Sequence, residues 1–207
     1  MGKYPKNAYK ALVQGNSIGL TTLTKALLKI SPVAADTDRM LAAYELKDSS
    51  DAAAEITIRA NNFLLDGECD VPRNITLTVG GTAADIAAVQ ATVKGVLMDG
   101  SIGTETMPAF TLNTAGSVVG SKIFKRFLEV TVPEMDGAGV TLDVGIGVKI
   151  GCPVIQVADV ANTVYPPVQK AGSGTLTDEI HATDVNQSYV TLSVLDGTLH
   201  VIEVTIG

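Results

Sequence analysis

Residues 74–79 (NITLTV) place apolar Ile75, Leu77 and Val79 between threonines, the period of two that turns one face of a strand to a core and the other to water. Comparable runs at 54–60 (AEITIRA), 89–98 (VQATVKGVLM), 105–112 (ETMPAFTL), 122–132 (KIFKRFLEVTV) and 140–148 read as further strands. Asp-Gly occurs at 66/67, 99/100, 136/137 and 196/197, each time beside strand-like sequence. That dipeptide readily takes the positive φ angles of tight hairpin turns. Short strands at this spacing predict an antiparallel β-sandwich or barrel of jelly-roll-like type. A doubly wound α/β fold is not expected, because no long amphipathic helices alternate with the strands.

The two ends read differently. Residues 4–20 are irregular, 23–30 carry apolar residues at helix-compatible spacing, and 36–46 (DTDRMLAAYEL) read as a short helix capped by Asp36 or Thr37. Gly15, Gly19 and Pro32 predict that this region lies as an arm over the sandwich or a neighbouring subunit. Residues 83–89 (AADIAAV) also look helical. The last part opens with a Pro/Gly-rich connection (YPPVQKAGSGTLTDE) and closes with the clearest hairpin of the chain. With Asp196-Gly197 as a two-residue turn, Val194 faces Leu199, Leu192 faces Val201 and Val190 faces Glu203. The expected architecture is mainly β: an N-terminal arm with short helical segments over 1–52, an antiparallel β-sandwich over 53–155, and a linker with a C-terminal β-hairpin over 156–207.

Composition narrows the partners. The 207 residues carry 15 Lys and Arg against 22 Asp and Glu, a net charge of −7, the wrong sign for binding a phosphate backbone or an anionic membrane. At 46% hydrophobic and 18% charged, the chain has the means for a packed core. No apolar run reaches the roughly 20 residues that span a bilayer, since Lys25 and Lys29 interrupt the best stretch. Gln14, Asn16, Thr21, Thr22, Thr24 and Lys25 break the apolar region that a secretory signal needs, so no cleaved leader is expected. Cys69 and Cys152 form neither a metal-spaced pair nor a CxxC and read as buried thiols outside any disulfide.

The search for chemistry returns little. His181 stands among Asp178, Glu179 and Asp184, an arrangement with the residue types of a metal or acid–base cluster but more simply a solvated acidic loop. His200 reads as a partly exposed sheet position. Ser101 and Ser173 lack an activating neighbour and read as turn serines. Gly145, Gly147 and Gly151 are spaced G-x-G-x-x-x-G with no helix after them, so they read as strand and bulge glycines and not as a dinucleotide loop. Asn74-Ile75-Thr76 and Asn186-Gln187-Ser188 are sequons only in a glycosylating host. The expectation is a protein without catalytic, cofactor-binding or metal-ligating residues, and no enzyme.

A resemblance covers 70–153. Asp70-Val71-Pro72-Arg73-Asn74-Ile75-Thr76, then 93–99, Gly103-Thr104-Glu105-Thr106, Gly120-Ser121-Lys122-Ile123-Phe124 and the Gly-rich 145–153 follow in the order found in a group of tailed-bacteriophage virion proteins. The chain resembles their head auxiliary, or capsid decoration, proteins. The resemblance implies a virion protein on the capsid surface, made in the host cytoplasm, whose partners are copies of itself, expected as a trimer, and the major capsid protein. Apolar side chains off the main core face need cover. Tyr4, Tyr9, Leu12 and Val13 from the arm and Tyr189, Leu195 and Ile202 from the hairpin are therefore the expected interface residues. Other readings are a major capsid, tail-tube or head-completion subunit, and an extracellular adhesion or carbohydrate-binding module. The last is poorly served by a chain with no Trp and 4% aromatic residues. A hydrolase would rest on the acid cluster around His181 alone.

Overall fold

A computed structural model describes residues 8–10, 22–153, 165–181 and 184–206. In chain order its strands are β1 (Ala8–Lys10), β2 (Thr22–Ile30), β3 (Asp36–Glu45), β4 (Ile56–Arg59), β5 (Glu68–Gly81), β6 (Thr92–Leu97) and β7 (Ile102–Thr106). They continue with β8 (Gly116–Val119), β9 (Phe124–Val132), β10 (Val140–Gly151), β11 (Val168–Ala171), β12 (Leu176–Glu179), β13 (Tyr189–Leu192) and β14 (His200–Ile206). All pairings are antiparallel, and there is no α-helix among the described residues. The mainly β, sandwich-like architecture read from the sequence is the one observed.

The large sheet runs β12-β13-β10-β5-β9-β6-β7, with β3 also on β10, β4 also on β9 and β8 also on β5. Its central strand β5 pairs β9 near its start and β8 near its end, with β10 along the other side. The main core lies within this arrangement. Ile75, Leu77 and Val79 of β5 meet Leu142, Val144 and Ile146 of β10, Phe127 and Val130 of β9, and Ile86, Met107 and Phe110 from the connections. The period of two in NITLTV thus marks the inward face as expected, although Thr76 between them is also buried. A four-stranded sheet, β1-β2-β14-β11, closes a second, smaller core in which Ile30, Ile202 and Val204 pack with Ile150, Cys152, Val190 and Leu192.

The two helices expected near the N-terminus are strands. In β2 the exposed Lys25, Leu27 and Lys29 alternate with Ala26, Leu28 and Ile30, which turn toward the smaller core. It is the exposed Leu27 beside Leu28 that imitates a helical spacing. In β3 the imitation comes from bulges: Tyr44 and Leu41, three positions apart, pair Leu142 and Val144, and Asp36 pairs Ile146. Each extra residue shifts the inward parity, so Met40, Leu41 and Tyr44 fall at helix-like intervals. Residues 22–30 and 36–45 are accordingly strands of the two sheets. Residues 83–85 make a single 3-10 turn in place of the helix read over 83–89, and the strand expected over 105–112 ends at Thr106.

The C-terminal hairpin is not formed. β13 pairs β10 and β12, whereas β14 pairs β2 and β11, so the two strands belong to different sheets. Leu192 faces Leu176, Val190 faces Ile150, and Val201 faces Lys29. Asp196-Gly197 lies in the passage between sheets: the Gly197 N–H donates to Pro32 O at 2.9 Å, and Asp196 Oδ1 accepts from Thr198 N at 3.0 Å. With no partner strand fixing the expected register, β14 takes the opposite parity and turns His200, Ile202 and Val204 inward.

A buried polar network as candidate functional site

Midway along β5 two polar residues, Arg73 and Asn74, stand in a buried place. Arg73 and Asn74 are fully buried there, and such groups are tolerated only when hydrogen-bonded. Arg73 donates through Nη1 to Gly147 O at 3.3 Å and through Nη2 to Val33 O, while its Nε lies 3.2 Å from Asp70 Oδ1. Asp70 Oδ2 in turn accepts the Val33 N–H at 2.8 Å. Both main-chain groups of Val33, in the connection that leaves the small sheet and enters the large one, are therefore held by one Asp–Arg pair. Burial holds the Arg73 guanidinium below the usual arginine range despite the neighbouring Asp70.

Asn74 bridges in the other direction. Its Nδ2 donates to Gly120 O at 3.2 Å and its Oδ1 accepts Lys149 N–H at 2.9 Å. This needs close approach of β10, and a Cβ on Gly147 would stand 2.4 Å from Asn74 Oδ1. Beyond Gly120, Glu105 Oε1 accepts the Ser121 N–H at 2.6 Å, the Ser121 hydroxyl at 2.8 Å and the Lys122 N–H at 3.1 Å. Lys122 Nζ reaches back to Thr104 O at 2.8 Å. Glu105 Oε2 is buried without a hydrogen-bond partner and lies against Gly120. From Val33 to Lys122 this is one continuous series of side chain to main-chain ties across β5, β7, β10 and the entry to β9. Its chemistry is attachment: apart from the Asp70–Arg73 and Glu105–Ser121 contacts within it and the unpartnered Glu105 Oε2, its donors and acceptors are aimed at backbone.

The histidines do not join it. His181 is exposed; its Nδ1 accepts the Asp184 N–H at 2.9 Å, and its own N–H donates to Ser188 Oγ at 3.0 Å. The surrounding acids diverge, since Glu179 accepts the Tyr189 hydroxyl and Asp184 accepts from Asn186 N and Gln187 Nε2. No group of three or more metal-ligating side chains exists among the described residues. His200 is fully buried, which corrects the partly exposed position read from the sequence; the inverted parity of β14 carries it inward. Its Nδ1 lies 3.4 Å from Gln169 Nε2. Ser101 is the turn serine expected, donating from N–H and hydroxyl to Asp99 Oδ1 at 2.8 and 2.7 Å. Gly145, Gly147 and Gly151 all lie in β10.

Of the expected interface residues, Tyr4, Leu12 and Val13 lie outside the described residues, and of Tyr9 only the main chain is described, in β1 opposite Leu23. Tyr189 is half-buried, its hydroxyl on Glu179 and its ring 4.6 Å from Lys149 Nζ. Its phenol is pushed up to about 12 by burial and then by Glu179. Leu195 packs half-buried against the smaller core. Ile202 is fully buried in that core within one chain, which removes it from any interface. Sequence reasoning quoted Arg73, Asn74 and Glu105 as letters of a motif without assigning them roles. The available signal was the polar pair Arg73-Asn74 leading straight into the apolar alternation of one strand.

No family model, curated protein or solved structure matches the chain.

Proposed function

We propose that the chain is a non-enzymatic structural subunit of a bacteriophage particle, a decoration protein that binds the outer capsid surface as a symmetric oligomer and reinforces the shell. The observation that carries this reading is the network itself. The residues on which the resemblance rests, Asp70, Arg73, Asn74, Glu105 and Ser121, are all engaged in holding strands together. A subunit that works by repeated weak contact needs a stiff frame, and side chain to backbone ties across a sandwich supply one. Outside the frame, Leu64, Leu65, Ile102 and Leu112 are each more than half exposed, apolar surface of the kind that contact with a shell would cover.

The test is addition to capsids. Purified protein mixed with expanded, undecorated phage capsids should co-sediment with them and raise their resistance to heat or denaturant, while sedimentation of the protein alone should show a discrete oligomer. A monomer that ignores capsids and instead binds glycans would overturn the proposal in favour of an adhesion module.

A further inference from the structure

Edge strands expose unpaired N–H and C=O groups, and proteins guard them with charged side chains. Among the described residues the edge strands follow that rule with one exception: Lys10 lies in β1, Asp38 in β3, Arg59 in β4, the inward-turned Glu105 in β7, Lys170 in β11 and Asp178 in β12. β8, Gly116-Ser117-Val118-Val119, carries none. It sits within 106–121, the longest stretch of the chain without a charged residue, in a protein whose net charge is −7. Two copies repel through most of their surface, and this stretch is where that repulsion is least. β8 has β5 on one side and, among the described residues, no strand on the other.

The phase of the ladder shows which groups are open. Gly120 N–H donates to Ile75 O at 2.9 Å, so the hydrogen-bonded pairs with β5 fall at Gly120 and, two residues on, at Val118 opposite Leu77. Ser117 and Val119 are then the non-hydrogen-bonded positions toward β5, in keeping with the 2.6 Å contact between the Thr78 and Ser117 hydroxyls. Their N–H and C=O groups point outward. Ser117 and Val119 are both exposed, the Val119 residue at 48%.

We propose that the outer edge of β8 pairs antiparallel with the same edge of a second copy across a two-fold axis at Val118. Ser117 of each chain then stands opposite Val119 of the other, and the outward N–H and C=O groups of both residues are satisfied reciprocally. The contact closes on two copies, an isologous interface, and depends on no capsid.

Sedimentation velocity over a range of protein concentration tests it. The wild type is expected to show a monomer–dimer equilibrium. Val119→Pro removes an outward donor without touching the β5 ladder, and Val119→Lys sets a charge on the edge. Each should raise the dimer dissociation constant about tenfold or more while leaving the circular-dichroism melt unchanged. Leu65→Ser, at another exposed apolar site, should leave association as it was. Amide exchange of the wild type needs no substitution: Ser117 and Val119 should exchange slowly in concentrated samples and quickly in dilute ones. A wild type that stays monomeric, association that survives both Val119 variants or is lost in Leu65→Ser, or equal protection at both concentrations, which would mean the chain covers its own edge, each overturns the proposal.

Discussion

Replacing Arg73 with Met keeps most of the buried stem while deleting the guanidinium, and so separates what the charge does from what the donors do. In the wild type, burial lowers the guanidinium's proton affinity more than Asp70 restores it, so the charge itself is a burden where it sits. What the variant loses is the pair of ties to Gly147 O and Val33 O, leaving two carbonyls without their donor. Each such group costs about 1–3 kcal/mol. Asp70, whose side chain is 16% exposed, keeps some water, so the unpaired carboxylate adds toward the low end of a broken buried pair. Removing the buried charge offsets part of this, so the expected net loss is about 3 kcal/mol, a large part of the roughly 5–15 kcal/mol that holds a domain together. Urea unfolding followed by circular dichroism at low protein concentration measures it, with the slope unchanged if only the folded state is affected. Asp70→Asn should cost less, because an amide oxygen still accepts the Val33 N–H, and the double variant should cost less than the sum of the two. Hydrogen exchange at the Val33 amide supplies a local readout and should lose its protection in Arg73→Met. A loss under about 1 kcal/mol, the size of one ordinary hydrogen bond, or a Val33 amide still protected, would refute the claim that this side chain fastens the connection between the sheets.

Two Asp-Gly glycines with similar backbone angles should respond differently to alanine. At Gly67 (φ +80°) a Cβ meets Phe127 O at 2.1 Å, whereas at Gly100 (φ +88°) it meets nothing within 4 Å. Gly67→Ala should cost about 3 kcal/mol or more and Gly100→Ala about 1 kcal/mol, read from paired urea titrations, and equal losses would sink the steric argument. Asp99 has its carboxyl lowered to about 2, by the Ser101 hydroxyl first, then the Ser101 N–H and the Asn186 side chain. Because that value lies below an unfolded aspartate's, about 3.9, the stabilisation is complete above the unfolded value and vanishes as pH falls through the folded one. The melting-temperature gap between wild type and Asp99→Asn should therefore be constant above about pH 5 and shrink from about pH 4 to 2; a gap that ignores acid contradicts this. Burial, and then Asp70, pushes the Cys69 thiol up to about 12. Peptide mapping after a thiol reagent at pH 8 should find Cys69 unmodified in native protein and modified in urea, and rapid native labelling would contradict it.

The parts of the fold legible in the sequence were those where one strand face is dry and the pairing is regular. Ile75, Leu77 and Val79, or Val130 and Val132, announce themselves by alternation, and β4, β6, β9 and β10 were found within a few residues of their ends. The reading failed where alternation is broken by something the sequence does not display. In β3 the break is a set of bulges dictated by β10, and the positive φ of Ala43 (49°) belongs to that irregular pairing. At the C-terminus, local turn chemistry favoured a hairpin, yet β13 continues the large sheet on Ile150 while β14 is claimed by β2 through seven paired residues from His200 to Ile206. A nine-residue partner far away in sequence outweighs a two-residue turn signal, because the ladder and the burial of Ile202 and Val204 require it.

The same contrast explains why Arg73, Asn74 and Glu105 stood in the sequence as letters of a motif without roles. Arg73, Asn74 and Glu105 are the residue types from which active sites are made, and only their partners show how they are employed here. Arg73 and Asn74 meet carbonyls and amides of strands that the sequence keeps far apart, Gly147 and Lys149 among them. Glycine at 120 and 147 belongs to this arrangement, since a side chain at either position would occupy the space of the carboxylate or amide beside it. Arg73 and Asn74 turn most of their polar atoms to the chain's own backbone, and among the described residues β8 adds open main chain at the periphery. For a main-chain edge the sequence requirement is chiefly the absence of charge. A motif search does not detect an absence, and the uncharged span around β8 becomes meaningful only once β8 is seen to have a partner on one side alone.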